Sequence, residues 1–316
     1  MRMENRRNIS EKTYELAIVG STIIWGGAYV VLKGALDSVG AGWLLGLRFL
    51  GASLLLALIM HRRLFARLNK LHLVAGAVIG IAGGLAYLTQ NIGLANTTPG
   101  RNAFFTATYC VMEPFVNWAM TGRRPGLRNV VAALICIVGV GFLSLGDGEG
   151  LSFSLSFGDI FTLIGAFFFA VQFVYIGRWA PGCDAMTLTV IELLFQGAVC
   201  LSWGIFAEAA PTVDLVTPAL LFQFGYLVIF STIVGITIQN VAQQHVPSTQ
   251  AALLFSLESV FGTIFSVIFF HEQITAAILT GFVLIFVAVV VSELPSRAKR
   301  ALEAAAEPDA ELEPEA

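Results

Sequence analysis

The sequence predicts an all-α integral membrane protein with ten transmembrane helices, arranged as two inverted five-helix repeats. Three observations carry this prediction. The chain is 57% hydrophobic and only 12% charged, and its mean hydropathy of +0.80 lies far outside the range of soluble domains. Charge-free apolar runs have roughly the length that a helix needs to cross a bilayer, whereas the alternating pattern of barrel strands is absent. Finally, short motifs of the first half recur in the second.

The recurring motifs indicate an internal duplication. The pairs are Gln90-Asn91 and Gln239-Asn240, Pro99 and Pro247, and Gly122-Arg123-Arg124 and His271-Glu272. The later landmarks are also equally spaced, because 25 residues separate Pro99 from Arg124 and Pro247 from Glu272. Duplication in so apolar a chain is typical of carriers whose site lies between two repeats. Five helices are an odd number, so the second repeat enters the membrane from the opposite side and the repeats are inverted.

The ten helices follow from the apolar runs and from the polar and turn residues between them. We predict helices over residues 15–35, 43–61, 72–95, 100–120, 128–146, 157–178, 186–207, 217–244, 247–270 and 274–293. The longest uncharged run, 215–257, is too long for one span and is divided at Gln243-Gln244-His245 and Pro247. The fifth and tenth helices carry almost no polar side chains, so we expect them to be scaffold.

The same pattern gives the domain boundaries. Residues 1–14 form a cytoplasmic N-terminus, 15–146 the first repeat, 147–156 an extracytoplasmic linker, 157–293 the second repeat and 294–316 a cytoplasmic tail. The tail interleaves Glu and Asp with Ala and Pro, a composition that favours disorder.

The basic residues predict the orientation in the membrane. Of the 18 Lys and Arg residues, 15 fall on one side of the predicted helices, while only Lys33 and Arg101 fall on the other and Arg48 lies inside the second helix. The positive-inside rule then places both termini in the cytoplasm. We expect a multi-pass protein of the plasma membrane, here a bacterial inner membrane, with Lys33 and Arg101 at its outer interface.

Polar and aromatic side chains at helical spacing predict a central cavity. In the fourth helix, Asn102, Thr106, Tyr109, Glu113 and Asn117 share one face. Any single face is explained equally well by helix packing, as are Gly76, Gly80 and Gly84, but several such faces in both repeats favour a shared cavity. The candidate substrate-binding residues are Trp25, Tyr29, Arg48, Tyr87, Asn91, Tyr109, Glu113, Asn117, Gln172, Glu192, Gln196, Asn240 and Glu258.

Charged side chains within spans are the sharpest of these candidates, because an ionised group at mid-membrane costs about 2.5–3.5 kcal/mol. Glu258 lies 11 residues after Pro247, about 16 Å along a helix and near the midplane. Glu258, Glu113 and Glu192 are candidate proton carriers, since a carboxyl buried without a cation can bind a proton. With Pro99 laid on Pro247, Glu113 and Glu258 fall one helical turn out of register. For Arg48 we favour an inward pairing, with a carboxyl or a substrate anion, over an outward orientation.

Several segments carry a resemblance to a known family. They are Trp25-Gly26-Gly27-Ala28-Tyr29-Val30 with Lys33, Leu47-Arg48-Phe49, Pro99-Gly100-Arg101-Asn102-Ala103-Phe104-Phe105, Ala251-Ala252-Leu253-Leu254-Phe255-Ser256-Leu257-Glu258 and His271-Glu272-Gln273-Ile274. Over residues 15–293 the chain resembles the ten-helix drug/metabolite transporter superfamily of EamA type. It departs from the family pattern at Glu258-Ser259, where Glu-Pro is common, and at Gly122-Arg123-Arg124, where Gly-Glu-Arg is common.

The resemblance implies a secondary active carrier that exports small metabolites, foremost amino acids or related zwitterions, by alternating access, with proton coupling as a hypothesis. A multidrug or organic-cation exporter is the main alternative. An intramembrane enzyme is less well supported, because all four His residues fall at span ends and no metal-ligand spacing occurs. We expect no cofactor, metal or nucleic acid; the expected partners are a small-molecule substrate and the lipid bilayer, and a homodimer stays open.

Overall fold

The computed structural model describes residues 11–122, 124–144, 155–212, 214, 217–246 and 248–293, and these contain helices and turns but no strand. In the first half the helices are α1 (Glu11–Leu36), α2 (Ala41–Ile59), α3 (His61–Arg67), α4 (Lys70–Ala95), α5 (Pro99–Ala107), α6 (Tyr109–Thr121) and α7 (Leu127–Ser144). In the second half they are α8 (Phe157–Trp179), α9 (Ala185–Ala207), α10 (Pro218–Tyr226), a π-helical segment (Leu227–Val234), α11 (Gly235–Ala242), α12 (Ser248–Ser256), α13 (Glu258–Phe270) and α14 (Ala276–Glu293).

Many of these helices are apolar enough for a membrane. Within the described ranges, six segments have the length and composition to cross one: Lys12–Leu36, Ala41–Ile59, Lys70–Ala95, Phe157–Gly182, Ala185–Ala207 and Pro218–Ala242. Shorter apolar helices cover Leu127–Phe142, Leu254–Phe270 and Ala276–Val291. Large apolar side chains such as Phe206 and Phe222 are exposed on the outside, as expected where lipid is the solvent. The predicted all-helical membrane architecture is therefore confirmed. Parts of the predicted domains lie outside the described residues. They are residues 1–10 of the N-terminal segment, residues 147–154 of the linker between the repeats, and the tail from residue 294. Arg123 and Pro247 also lie outside them.

The predicted fourth and ninth helices are not continuous. The fourth consists of α5 and α6, which are separated at Thr108, and the ninth consists of α12 and α13, which are separated at Leu257. Near each break a hydroxyl group bonds a backbone carbonyl: Thr108 Oγ1 donates to Phe105 O (2.6 Å) and Ser259 Oγ donates to Ser256 O (2.7 Å). Such bonds compete with the helical ladder and bend it. In α6, Pro114 also removes one donor from that ladder.

The broken helices show a common register for the two halves. Both consist of a nine-residue helix, a one-residue break and a thirteen-residue helix. The second of each pair ends at a residue with left-handed backbone, Gly122 (φ 75°) and His271 (φ 52°). These two residues lie 149 positions apart, as do Gln90 and Gln239. The proline-based register is therefore off by one residue: Glu258 corresponds to Tyr109 instead of Cys110, and Glu113 and Glu258 still fall about one helical turn out of register.

The apolar helices α7 and α14 pack against each other. Phe104 of α5 stacks on Phe282 of α14, with ring centroids 3.9 Å apart. The glycine face of α4 lies against α9: a Cβ built on Gly80 would lie 2.5 Å from the backbone oxygen of Glu192. That glycine face therefore serves close helix packing.

Hydrogen bonds and an ion pair connect the two halves. Arg101 donates to Asp159 with Nη2 and Oδ2 2.6 Å apart, and both side chains are buried. Arg101 lies in the first turn of α5 and Asp159 in the first turn of α8, so an acidic residue of the other half compensates the charge of Arg101 at the ends of these helices. Lys33 Nζ instead donates to the carbonyl oxygens of Leu94 and Ala95, 2.9 Å from each, at the C-terminus of α4.

Carboxylates of the second half also bind helix N-termini of the first. Glu208 accepts hydrogen bonds from the backbone N–H groups of Gly42 (2.9 Å) and Trp43 (3.2 Å) at the start of α2. Glu272 accepts from Thr98 Oγ1 (2.5 Å) and from the Gly100 N–H (3.2 Å) at the start of α5. A negative charge is stabilising at a helix N-terminus, so both contacts strengthen the interface.

A more exposed ion pair links α3 to the start of α9. Arg63 Nη2 lies 2.5 Å from Asp184 Oδ2, and Asp184 also caps α9 by accepting from the Thr187 N–H (3.2 Å). Burial raises the pKa of Asp184, but the hydrogen bonds from Arg63 and Thr187 outweigh burial and hold the pKa below its usual value.

Candidate functional site

A cavity of about 40 Å³ lies between the two halves. Residues from both halves line it: Trp25, Ala28, Tyr29, Leu32, Arg48, Tyr87, Gln90 and Tyr109 from the first, and Phe169, Phe173, Ser231, Gln239 and Glu258 from the second. Neither α7 nor α14 contributes to this lining, in line with the expected scaffold role. Two equivalent pairs of positions face the cavity, Gln90 with Gln239 and Tyr109 with Glu258.

Arg48 provides the positive charge of this cavity. Its side chain is 1% exposed, and it donates from Nε to Thr232 Oγ1 (2.5 Å) and from Nη2 to Ser231 Oγ (3.0 Å). Its guanidinium carbon lies 5.0 Å and 5.8 Å from the ring centroids of Phe49 and Tyr87. No carboxylate pairs with Arg48 in the part of the chain that the structure describes, and its Nη1 makes no hydrogen bond. Arg48 thus points inward, as predicted, but its protein partners are neutral.

The π-helical segment creates the Arg48 site. Its wider turns bring Ser231 and Thr232 towards α2, and Thr232 Oγ1 also donates to Leu227 O (2.8 Å). The backbone oxygen of Ser231 accepts from Trp25 Nε1 (2.8 Å). Departures of this kind from α-helical geometry are frequently found at functional sites.

Glu258 provides the negative charge. It is the first residue of α13 and is 7% exposed. Tyr29 OH lies 3.5 Å from Glu258 Oε1 and accepts a hydrogen bond from Gln90 Nε2 (2.9 Å). Gln90 Nε2 also lies 3.0 Å from Thr106 Oγ1. The carboxylate therefore belongs to a hydrogen-bonded chain that crosses from the second half to the first.

Aromatic rings form the walls. Trp25 stacks on Phe255 with centroids 5.2 Å apart, and Tyr109 stacks on Phe173 at 4.9 Å. Tyr87 meets Phe169 edge-on at 4.9 Å. These contacts give the cavity a rigid, largely apolar surface with a few polar groups, as in typical small-molecule sites.

A second polar cluster surrounds Glu192 of α9, outside the set of residues that line the cavity. Glu192 Oε1 accepts from Gln172 Nε2 (2.8 Å) and Gln196 Nε2 (3.1 Å), and Oε2 accepts from Asn240 Nδ2 (2.6 Å). We call these four residues the Glu192 cluster. Each of them is at most 1% exposed.

The structure thus divides the predicted site residues into three groups. Trp25, Tyr29, Arg48, Tyr87, Tyr109 and Glu258 line the cavity, whereas Gln172, Glu192, Gln196 and Asn240 form the Glu192 cluster. The remaining three, Asn91, Glu113 and Asn117, belong to neither. Asn91 donates to Tyr87 O (2.8 Å), Glu113 is buried on α6, and Asn117 is half-buried on the same helix.

The prediction missed seven lining residues, namely Ala28, Leu32, Gln90, Phe169, Phe173, Ser231 and Gln239. The sequence contains a signal for the two glutamines, because each belongs to a Gln-Asn pair that indicates the duplication. The prediction included only the asparagine of each pair. Across the described residues, no three His, Cys, Asp or Glu side chains are grouped as a metal site would need.

The fold defines a multi-pass membrane protein, and a cavity with polar and aromatic lining lies between its two halves. The chain belongs to the EamA-like transporter family, whose model matches residues 12–145 and again residues 156–294. It is therefore a membrane transporter, and the resemblance seen in the sequence is confirmed.

Relatives agree with this class. An "Uncharacterized transporter" of Archaeoglobus fulgidus is 30% identical over 288 residues, which cover 89% of this chain and 85% of that protein. A "S-adenosylmethionine/S-adenosylhomocysteine transporter" of Chlamydia muridarum is 23% identical over 68% of this chain and 70% of its own length. One solved structure superposes with a TM-score of 0.66 at 16% identity, covering 93% of this chain and 100% of that chain, which shows the shared fold alone.

Proposed function

We propose that the protein is a secondary active carrier of small zwitterionic metabolites of the amino-acid type, which it moves by alternating access. The observation that carries this proposal is the presence of one buried cation, Arg48, and one buried carboxyl, Glu258, in the lining of the same central cavity.

The charges of the cavity select for a substrate that carries both signs. Arg48 has an unused donor at Nη1 and suits a carboxylate, which guanidinium groups bind with two parallel hydrogen bonds. Glu258 suits an ammonium group. A substrate with only one charge would leave the opposite protein charge buried and uncompensated, which is costly. A zwitterion satisfies both, and the aromatic walls accommodate its side chain.

A relative supports the same class of substrate. The Chlamydia muridarum protein is named for S-adenosylmethionine and S-adenosylhomocysteine, and both molecules carry an amino-acid group with an ammonium and a carboxylate. At 23% identity this supports the amino-acid moiety as the recognised feature rather than either compound as the substrate.

For the mechanism we propose ten spans in two inverted repeats, with α5 and α6 forming one span and α12 and α13 another. The common register of 149 residues and the paired helix breaks support this arrangement. Two equivalent halves have two equivalent packings, one open to each side of the membrane, as alternating access requires.

Charge distribution and family resemblance extend this proposal to topology and direction. The excess of basic residues on one predicted side supports cytoplasmic termini in a bacterial inner membrane. The resemblance to exporting carriers of EamA type supports export. Proton coupling would use Glu258, because it lies in the cavity; Glu113 and Glu192 are the other predicted carriers.

Organic-cation export is the second candidate, favoured by the stacked aromatic rings around Glu258. Arg48 favours the zwitterion over the organic cation as the substrate, because a buried guanidinium in the cavity repels a cation.

Uptake into proteoliposomes tests the proposal. We expect purified protein to transport one or more radiolabelled amino acids or S-adenosylhomocysteine, and to prefer them to tetraphenylphosphonium. An Asn117→Ala variant, changed outside the cavity, should behave like the wild type. Transport of the organic cation without any zwitterion would show that the proposed substrate class is wrong.

A further inference from the structure

The Glu192 cluster carries a charge that its own side chains do not balance. Three neutral amides, from α8, α9 and α11, donate to one carboxylate that is 0% exposed. Among the residues that the structure describes, no Lys, Arg or His side chain pairs with Glu192. Burial of an ionised carboxylate requires a compensating positive charge.

The same cluster contains acceptors without donors. Gln196 Oε1 and Asn240 Oδ1 make no hydrogen bond, although both side chains are 0% exposed. Buried side-chain oxygens are normally paired, so two unpaired carbonyl oxygens beside one carboxylate need an explanation. The oxygen and nitrogen of a side-chain amide exchange places by a half-turn, and that rotation directs these carbonyl oxygens towards Glu192.

A proton does not satisfy this arrangement as well as a metal cation does. Protonation gives Glu192 one O–H donor, which can pair with one carbonyl oxygen and leaves the other unpaired. A cation between the side chains is coordinated by the carboxylate and by several carbonyl oxygens together, the ligands preferred by hard cations. Because the cluster has a single carboxylate, its charge matches a monovalent ion rather than Ca²⁺ or Mg²⁺, which bind several carboxylates or phosphates.

We therefore propose that Glu192, Asn240 and Gln196, with Gln172 alongside, form a binding site for Na⁺ that is separate from the substrate cavity. Thr189 completes the oxygen set: Asn240 Nδ2 lies 2.9 Å from Thr189 Oγ1, and rotation of the amide frees that hydroxyl for the ion. The site thus draws ligands from α8, α9 and α11.

The position of Asn240 connects this site to the cavity. Its neighbour Gln239 lines the cavity, and the π-helical segment of the same span holds Arg48 through Ser231 and Thr232. A cation that draws Asn240 towards Glu192 changes the position of this span and therefore of the Arg48 site. Na⁺ binding is in this way coupled to zwitterion binding. This coupling rests on the proposed function, and it assigns Glu192 to Na⁺ instead of to a proton.

A glycine limits the space around the amides. A Cβ built on Gly83 of α4 would lie 2.5 Å from Gln196 Nε2 and 2.6 Å from Gln172 Nε2. Gly83→Ala therefore displaces both amides without removing any proposed ligand, and it offers a second way to disturb the site.

Binding of ²²Na⁺ to the purified full-length protein tests the site directly. We expect saturable binding in wild type, at least a tenfold loss of affinity in Glu192→Gln, and a smaller loss in Gly83→Ala. Asn117→Ala changes a half-buried residue outside the cavity and the cluster and should keep wild-type affinity. If Glu192→Gln fails to fold, Asn240→Ala provides the same comparison. Absence of saturable binding, or equal affinity in wild type and Glu192→Gln, would overturn the proposal.

Two further arms separate this inference from the proposed function. In proteoliposomes, an inward Na⁺ gradient should accelerate zwitterion efflux, whereas an equal K⁺ gradient should not. Flux that follows a pH gradient alone would overturn the Na⁺ site. Zwitterion transport that does not respond to Na⁺ would contradict the Na⁺ site and would leave the proposed function intact. Absence of zwitterion transport together with saturable ²²Na⁺ binding would contradict the proposed function and would leave the Na⁺ site intact.

Discussion

The two halves of the protein share a backbone plan but differ in the charges that they bring to the cavity. Gln90 and Gln239 are equivalent and identical, and both line it. At the next equivalent pair the first half has Tyr109 and the second has Glu258; Arg48 of the first half corresponds to Gly197. Under the proposed function, this difference assigns two tasks: the common backbone plan provides the two packings, and the unequal charges orient the solute.

The same contrast appears in one pair of equivalent spans. In the first half, α4 is a regular helix from Lys70 to Ala95. The equivalent span of the second half, Pro218–Ala242, contains the π-helical segment that supplies Ser231 and Thr232 to Arg48. The regular span packs through glycines, whereas the irregular one forms part of the site.

The largest expected effect comes from separating the halves at their buried ion pair. Arg101→Gln leaves Asp159 buried without its partner, and such changes cost about 3–5 kcal/mol. We expect a clearly lower melting temperature of the detergent-solubilised protein. The double variant Arg101→Gln/Asp159→Asn should recover part of that loss. A melting temperature unchanged in the single variant would show that this contact does not hold the halves together.

The second-largest effect is expected from a variant that lacks the positive charge of the first half. Arg48→Gln deletes a charged donor in the cavity, and a hydrogen bond to a charged group contributes about 1.5–3 kcal/mol, or roughly 10–100-fold in affinity. Zwitterion uptake at low concentration should fall by that factor. Folding is checked by the melting temperature, and Arg48→Lys should retain part of the uptake because it retains the charge. Full uptake by Arg48→Gln would remove Arg48 from the site.

Smaller effects on uptake are expected at the equivalent positions Tyr109 and Glu258, where the two halves are compared directly. Glu258→Gln removes a charge and should lower uptake about tenfold, whereas Tyr109→Phe removes at most a neutral hydroxyl contact and should lower it about threefold or less. Initial uptake rates in matched proteoliposomes measure both. Equal effects of the two changes would mean that the halves contribute alike and that charge does not distinguish them.

The smallest effect concerns the exposed ion pair between α3 and α9. Its solvent-screened contribution is about 0.2–1 kcal/mol, so Arg63→Gln should lower the melting temperature only slightly. The pKa of Asp184 is depressed in the folded protein, so this contribution is present at neutral pH and is lost as the pH falls below the usual value of 3.8. The difference in melting temperature between wild type and variant should therefore be smaller at pH 3 than at pH 7.

The apolar runs were sufficient to predict the helices, because lipid imposes a minimum length on each span. The breaks at Thr108 and Leu257 were not predictable in the same way, since neither residue is Gly or Pro and the breaks depend on hydroxyl contacts. The register failed by one residue because Pro99 is the first residue of α5, whereas α12 begins at Ser248, after Pro247.

The site was predicted in part for a similar reason. Helical spacing identified Tyr29, and charge within an apolar span identified Arg48 and Glu258, as inward residues. Neither pattern could show that Glu192 belongs to a separate cluster. That separation depends on how α9 and α11 pack together. Likewise, the partner of Arg101 lies in the other half, where no local pattern points to it.

The most direct test of the account compares three forms of one substrate: the best-transported amino acid, its amide, which lacks the carboxylate, and its N-acetyl derivative, which lacks the ammonium group. Competition for uptake should show that wild-type protein rejects both derivatives. Arg48→Gln should lose its discrimination against the amide only, and Glu258→Gln its discrimination against the N-acetyl derivative only. If both variants discriminate as the wild type does, the two halves do not divide the charges of the substrate between them, and the account is contradicted.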